Sequence, residues 1–168
     1  MNSALFANIA RFIILLFMQI AIFNKMDFLG YINPYPYILF ILLYPVNGNK
    51  YGLLFSSFLL GIIMDMFSNS GGVHATAAIS LAAMRPTFFK FSFGVSYEYQ
   101  TIKINDKITP ERFSFIAISV VSHHFVLFLL EAFRMIYFIQ VLLRTLFSTV
   151  FTIIICILLI YLFKPSRR

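Results

Sequence analysis

The sequence predicts an all-α, polytopic membrane protein: a six-transmembrane-helix bundle folded as a single integral membrane domain over residues 1–168. Three observations lead there. Hydrophobic residues make up 61% of the chain and charged residues 11%, at a mean hydropathy of +0.90. A soluble domain carries about 25% charged residues, so too few are present to coat a water-facing surface. The apolar residues come in runs near the roughly 20 residues that cross ~30 Å of hydrocarbon. The basic residues gather in alternate connections, as cytoplasmic loops do.

The first span is expected at about 5–23, interrupted only by Asn8, Arg11 and Gln19. It runs on into Phe23-Asn24-Lys25-Met26-Asp27 without an Ala-x-Ala-like cleavage site, so it reads as an uncleaved helix rather than a signal peptide. The second, about 35–46, is short and bracketed by Pro34, Pro36 and Pro45. Asn47-Gly48-Asn49-Lys50 is a turn signal and leads into the third span, 51–67. Asn69-Ser70-Gly71-Gly72 is a second tight turn, with Gly71 and Gly72 free to reverse the chain. The fourth span, 72–89, is small-sided through Ala75, Ala77, Ala78, Ser80, Ala82 and Ala83. Small residues let helices approach closely in lipid, which places this span inside the bundle.

A polar stretch over about 91–109 separates the fourth and fifth spans. Thr109-Pro110-Glu111 then opens a helix, with Thr as N-cap, Pro at the first position and an acid at the positive end of the dipole. The fifth span is expected at about 113–137 and the sixth at 141–163, stopped by Lys164-Pro165-Ser166-Arg167-Arg168. Six spans put both termini on one side. With that side cytoplasmic it holds Arg11, Lys50, Arg85, Lys90, Lys103, Lys107, Arg112, Lys164, Arg167 and Arg168, against Lys25, Arg134 and Arg144 outside. The bias follows the positive-inside rule. It also accounts for the net charge of +7 without a nucleic-acid partner.

Ionisable residues at membrane depth are costly and each needs a reason. Asp65 ends the third span and His74 starts the fourth, so the turn makes them neighbours. Asp65 is expected to be a buried anchor against His74 or a basic residue of another helix. Glu131 and Arg134 stand at i,i+3, either as an intrahelical pair or as part of a shared site. His124 lies two turns deeper on the same face. Arg144 either joins them or snorkels to the interface. Threaded on one topology, Asp65, His74, His124, Glu131 and Arg134 converge as a polar pocket in the outer leaflet. His123 and His124 are adjacent and point about 100° apart, so they cannot chelate one ion; one of them is expected to bond across helices. The lone Cys156 sits in an apolar run, without a disulfide framework or thiolate metal site. No zinc-helix, nucleophile-elbow or phosphate-loop pattern occurs. No catalytic residue, metal or cofactor is expected.

The stretch Gly61-Ile62-Ile63-Met64-Asp65-Met66-Phe67-Ser68-Asn69-Ser70-Gly71-Gly72-Val73-His74-Ala75, followed by an Ala-rich helix to Arg85-Pro86, resembles the rod shape-determining protein MreD family. The shared pattern is a Gly-x-x-x-Asp helix, a small-residue turn and a Gly-x-x-Ala start to the next helix. Gly61, Gly71, Gly72, Ala75, Ala78 and Ala82 are its turn and packing positions. Chain length, span count and basic tail agree, and the Gly-Gly-Val-His-Ala-Thr form with its long loop is similar to the Bacteroidetes version. The resemblance implies a non-enzymatic subunit of the cell-elongation machinery in the bacterial inner membrane, both termini cytoplasmic. It implies the bitopic protein MreC as direct partner and, through it, MreB, RodA and its transpeptidase, which build peptidoglycan. It also implies a fold similar to the S-components of energy-coupling-factor transporters. A true S-component, capturing a vitamin from outside, is therefore the alternative function.

Overall fold

Each long apolar run forms a helix. The computed structural model describes residues 2–26, 32–94, 108–133 and 138–162. Its helices are α1 (Asn2–Ala21), α2 (Leu39–Leu43), α3 (Lys50–Ser68), α4 (Val73–Phe93), α5 (Pro110–Ala132) and α6 (Phe138–Leu162), with 3-10 turns at Phe23–Lys25 and Pro36–Ile38. No strand occurs among the described residues. Four segments, Phe6–Lys25, Lys50–Ser68, Pro110–Ala132 and Phe138–Leu162, are long and apolar enough to cross a membrane.

The surface is apolar where a soluble protein's is polar. Along α6 the buried side carries Thr145, Ser148, Thr149, Thr152 and Cys156, while Leu142, Leu146, Val150, Ile154 and Leu158 face outward. Polar atoms turned inward and aliphatic ones outward suit a hydrocarbon solvent, where backbone and side-chain polar groups must find partners inside.

The helix α4 packs between α3 and α5. It has 21 residues, and its alanines, Arg85 and Lys90 give it the least apolar run of the long helices. Ala75, Ala77, Ala78 and Ala82 are all buried, in line with an interior, small-sided helix. The two turn signals act as read. Asn49 caps α3 by accepting from Tyr51 N at 2.9 Å and Gly52 N at 3.4 Å. At the other end Asn69 adopts φ 52°, followed by Gly71 at φ 63° and Gly72 at φ 98°. Thr109 caps α5, accepting from Arg112 N at 3.4 Å.

The segment 35–46 differs from a regular span. It is a three-residue 3-10 turn followed by the five-residue α2, together rising about 14 Å, half of a hydrocarbon core. The prolines explain it. Pro34 and Pro36 cannot donate to a helix ladder and push the preceding residue out of the helical region; Tyr35 sits at φ −122°, ψ 63°. Pro45 ends α2 in the same way, with Tyr44 at φ −59°, ψ 141°. The centre of the segment is nonetheless fully buried: Tyr37, Ile38, Leu39, Ile41 and Leu42 are 0% exposed.

The bundle sorts charge by end. Arg11 donates to Leu43 O at 3.2 Å and Arg85 to Leu42 O at 3.3 Å, so both lie at the end where Lys50 starts α3, Lys90 ends α4 and Arg112 starts α5. Lys25 and Arg144 lie at the other. The expected 91–109 loop and the tail from Lys164 fall mostly or wholly outside the described residues.

Candidate functional site

The site is a polar knot around the broken segment, made by side chains from α1, α4, α5 and α6. In Pro34-Tyr35-Pro36-Tyr37 the prolines have no N–H, so only Tyr35 and Tyr37 carry donors that a missing helix ladder leaves unmet. Tyr35 N donates to Thr152 Oγ1 on α6 at 3.1 Å, and Tyr37 N donates to Gln19 Oε1 on α1 at 3.3 Å. Gln19, fully buried in a long apolar helix, also donates through Nε2 to Pro34 O at 3.2 Å and Asn24 Oδ1 at 3.0 Å. One residue earlier, Asn33 N donates to Ser148 Oγ at 3.3 Å. At the far end Arg85 donates to the Leu42 and Tyr44 carbonyls, and Arg11 to that of Leu43. The carbonyls that α2 leaves unpaired are thus met by cations, which also suit the negative end of a helix.

Proton positions follow from this geometry. His124 Nδ1 lies 2.8 Å from Val120 O, an acceptor only, so the ring's N–H is on Nδ1. Its Nε2 then accepts from Thr152 Oγ1 at 3.1 Å. The chain Tyr35 N–H to Thr152 O–H to His124 to Val120 O is satisfied at every link. Next to it the Tyr37 hydroxyl lies 2.8 Å from His123 Nε2 and 3.2 Å from His74 Nδ1. One hydroxyl proton serves two ring nitrogens, so one imidazole accepts from Tyr37 and the other donates to it. His123 Nδ1 is buried without a hydrogen-bond partner among the described residues. A lone pair there is the cheaper orphan, which assigns the N–H to Nε2. His123 is then the donor and His74 the acceptor.

Asp65 does a different task. Its Oδ1 accepts from Ser70 Oγ at 2.5 Å and from His74 N at 2.9 Å, and its Oδ2 accepts from Ala75 N at 2.9 Å. The carboxylate caps the first turn of α4 from the preceding helix, a negative charge on a positive helix end. Gly61, one turn earlier on α3, makes this possible. A Cβ there would overlap Ala75 Cα and stand 2.6 Å from Ala75 N and 2.7 Å from His74 O.

The structure brings some of the sequence-expected residues together and separates others. Asp65 meets His74 through the backbone, while the His74 ring turns to Tyr37. His124 stays with Thr152. Glu131 pairs with Arg144 at 2.9 Å, both about a third exposed, and Arg144 stacks on Phe128 at 4.5 Å. These two side chains line an open groove of about 720 Å³ with the Ser68–Val73 turn; Asp65 and His74 are not in its wall. Arg134 lies outside the described residues. Gln19, Tyr37 and Thr152 are not singled out as site residues by the sequence, and His123 enters only as one of two candidates for a bond across helices. Two signals point to Tyr37 and Thr152: a Pro-x-Pro pair stripping donors from an apolar segment, and the Thr145-Ser148-Thr149-Thr152 spacing that places hydroxyls on one face of α6. Among the described residues no group of His, Cys, Asp and Glu is arranged to hold a metal ion.

No family model, curated protein or solved structure matches the chain.

Proposed function

We propose that the chain is a non-enzymatic, six-span subunit of a cell-elongation complex in a bacterial inner membrane, MreD-like, that presents a rigid face to a bitopic MreC-like partner. The carrying observation is that the residues of the resemblance motif form one interlocked unit. Gly61 admits the α4 backbone, Asp65 caps it by accepting from His74 N and Ala75 N, and the Ser70 hydroxyl donates to that carboxylate. Their chemistry is used in holding the α3–α4 hairpin, which supports a scaffold. The charge sorting between the two ends supports cytoplasmic termini by the positive-inside rule. The broken 32–46 segment serves as the second crossing, with its irregular backbone enclosed by protein as lipid requires.

Two measurements test this. The tagged full-length protein, purified from its own membrane, is expected to bring down a bitopic protein with a periplasmic coiled coil; recovery without one removes the reading. A reporter fluorescent only in the cytoplasm, fused to Arg168, is expected to be bright, and an inserted but dark fusion removes the topology. The open groove beside Glu131 and Arg144 favours a second reading, a transporter subunit that captures a vitamin from outside. A thermal-shift screen against vitamins separates the two: stabilisation by one vitamin supports capture.

A further inference from the structure

We propose that the cavity between the Tyr44–Lys50 turn and α4 binds the phosphate headgroup of an anionic membrane phospholipid. The cavity has a volume of about 480 Å³, within the roughly 300–1,000 Å³ usual for ligand sites. Its wall carries two cations, Lys50 and Arg85, and no carboxylate. Leu53, Leu54 and Phe89 are among the apolar residues of the wall. The two kinds of wall match the two parts of one amphiphile.

Position adds an independent reason. Lys50 is the first residue of α3, exposed beside its Asn49 cap, so the cavity sits where a membrane-crossing helix leaves the hydrocarbon. Arg85 is the opposite: 5% exposed, donating to the Leu42 and Tyr44 carbonyls, and stacked 4.7 Å from the Phe89 ring. The pair therefore offers one buried, hydrogen-bonded cation in the wall and one exposed cation beside it. This is also the end that gathers Arg11, Lys90 and Arg112, the end that would face an acidic leaflet. A basic group near such a surface favours anionic lipid. The proposal does not depend on the identity of the protein's partner.

Native mass spectrometry of the full-length protein tests it, with phosphatidylglycerol and phosphatidylcholine of the same acyl chains supplied in equal amounts. Phosphatidylglycerol is expected to be retained in preference, about fivefold or more. Lys50→Glu, at an exposed position, is expected to bring the ratio close to one. Ala83→Phe, which fills the cavity from an exposed wall position, is expected to reduce retention while leaving the melting temperature unchanged. Equal retention of both lipids by the unaltered protein, or a preference that survives Lys50→Glu, overturns the proposal. Inorganic phosphate that raises the melting temperature as much as phosphatidylglycerol also overturns it, in favour of a free-anion site.

Discussion

The α3–α4 hairpin and the Pro34–Tyr44 segment satisfy buried backbone groups in opposite ways. In the hairpin every partner is close in sequence: Asp65 accepts from Ser70, His74 and Ala75. In the broken segment the partners come from far along the chain, with Gln19 before it and Arg85 and Thr152 after it. The difference teaches where rigidity comes from. A hairpin closed by local bonds can form as soon as two helices meet. The broken segment keeps its shape only once α1, α4, α5 and α6 have gathered around it, so its order reports the assembly of the whole bundle.

The largest expected effect breaks the local side of this comparison. Gly61→Ala puts a methyl group against α4 backbone atoms rather than against a flexible side chain, so the two helices must separate. Overpacking of this kind costs about 3 kcal/mol, and separation also pulls Ala75 away from Asp65. A large fall in melting temperature in detergent is expected. An unchanged value means that the two backbones are not in contact.

Asp65→Ala comes next, at roughly 3 kcal/mol, because two backbone N–H groups and a hydroxyl lose a charged acceptor at 2.5–2.9 Å. Asp65→Asn keeps one acceptor oxygen, so about half that loss is expected. Melting curves of both variants at matched detergent check the order. Equal losses would show that the charge on the helix end, not the hydrogen bonds, is what counts.

The two regions also differ in how much of them the sequence discloses. The α3–α4 unit is legible because its signals are local: Asn69 to Gly72 for the turn, the alanines for an interior helix, Asp65 and His74 as neighbours. Even so, neighbourhood did not give the bond, since Asp65 accepts from the His74 backbone and not its ring. The broken segment is legible only as an anomaly, a short apolar run among prolines. Which side chains meet its donors depends on how four helices pack: the hydroxyl face of α6 marks Thr152 without naming its partner, and Gln19 carries no mark of that role. Arg11 and Arg85 are misleading in the same way. They count correctly as charges at one end, yet each also closes α2 through a carbonyl. Glu131 pairs with Arg144 across two helices, a contact that depends on the α5–α6 packing and that no local spacing discloses.

Tyr37→Phe sharpens the non-local side at a smaller scale. The ring still fills its place, but His123 and His74 lose the oxygen between them. Interhelical hydrogen bonds in membranes average about 0.6 kcal/mol, and a buried orphan adds to that, so a loss of about 1–2 kcal/mol is expected. Hydrogen exchange is the sharper readout. Faster exchange is expected at the Tyr35 and Tyr37 amides, with the amides of His74 and Ala75 unchanged. Equal acceleration in both places would join the two regions into one cooperative unit and end the distinction drawn here.

Arg144→Gln is expected to have the smallest effect. The Glu131–Arg144 bond spans α5 and α6, so it belongs with the non-local contacts, but its side chains are 31% and 27% exposed. Water at such a site screens the pair, and exposed ion pairs contribute about 0.2–1 kcal/mol. The stacking of Arg144 on Phe128 at 4.5 Å adds a similar small amount. A double-mutant cycle with Glu131→Gln isolates the coupling, which should stay below about 1 kcal/mol and shrink as salt is raised. A coupling of several kcal/mol, insensitive to salt, would place the pair in a dry interior. Non-local bonding in this bundle would then be strong at the groove as well as at the broken segment, and the contrast would lie between local and non-local contacts rather than between buried and wet ones.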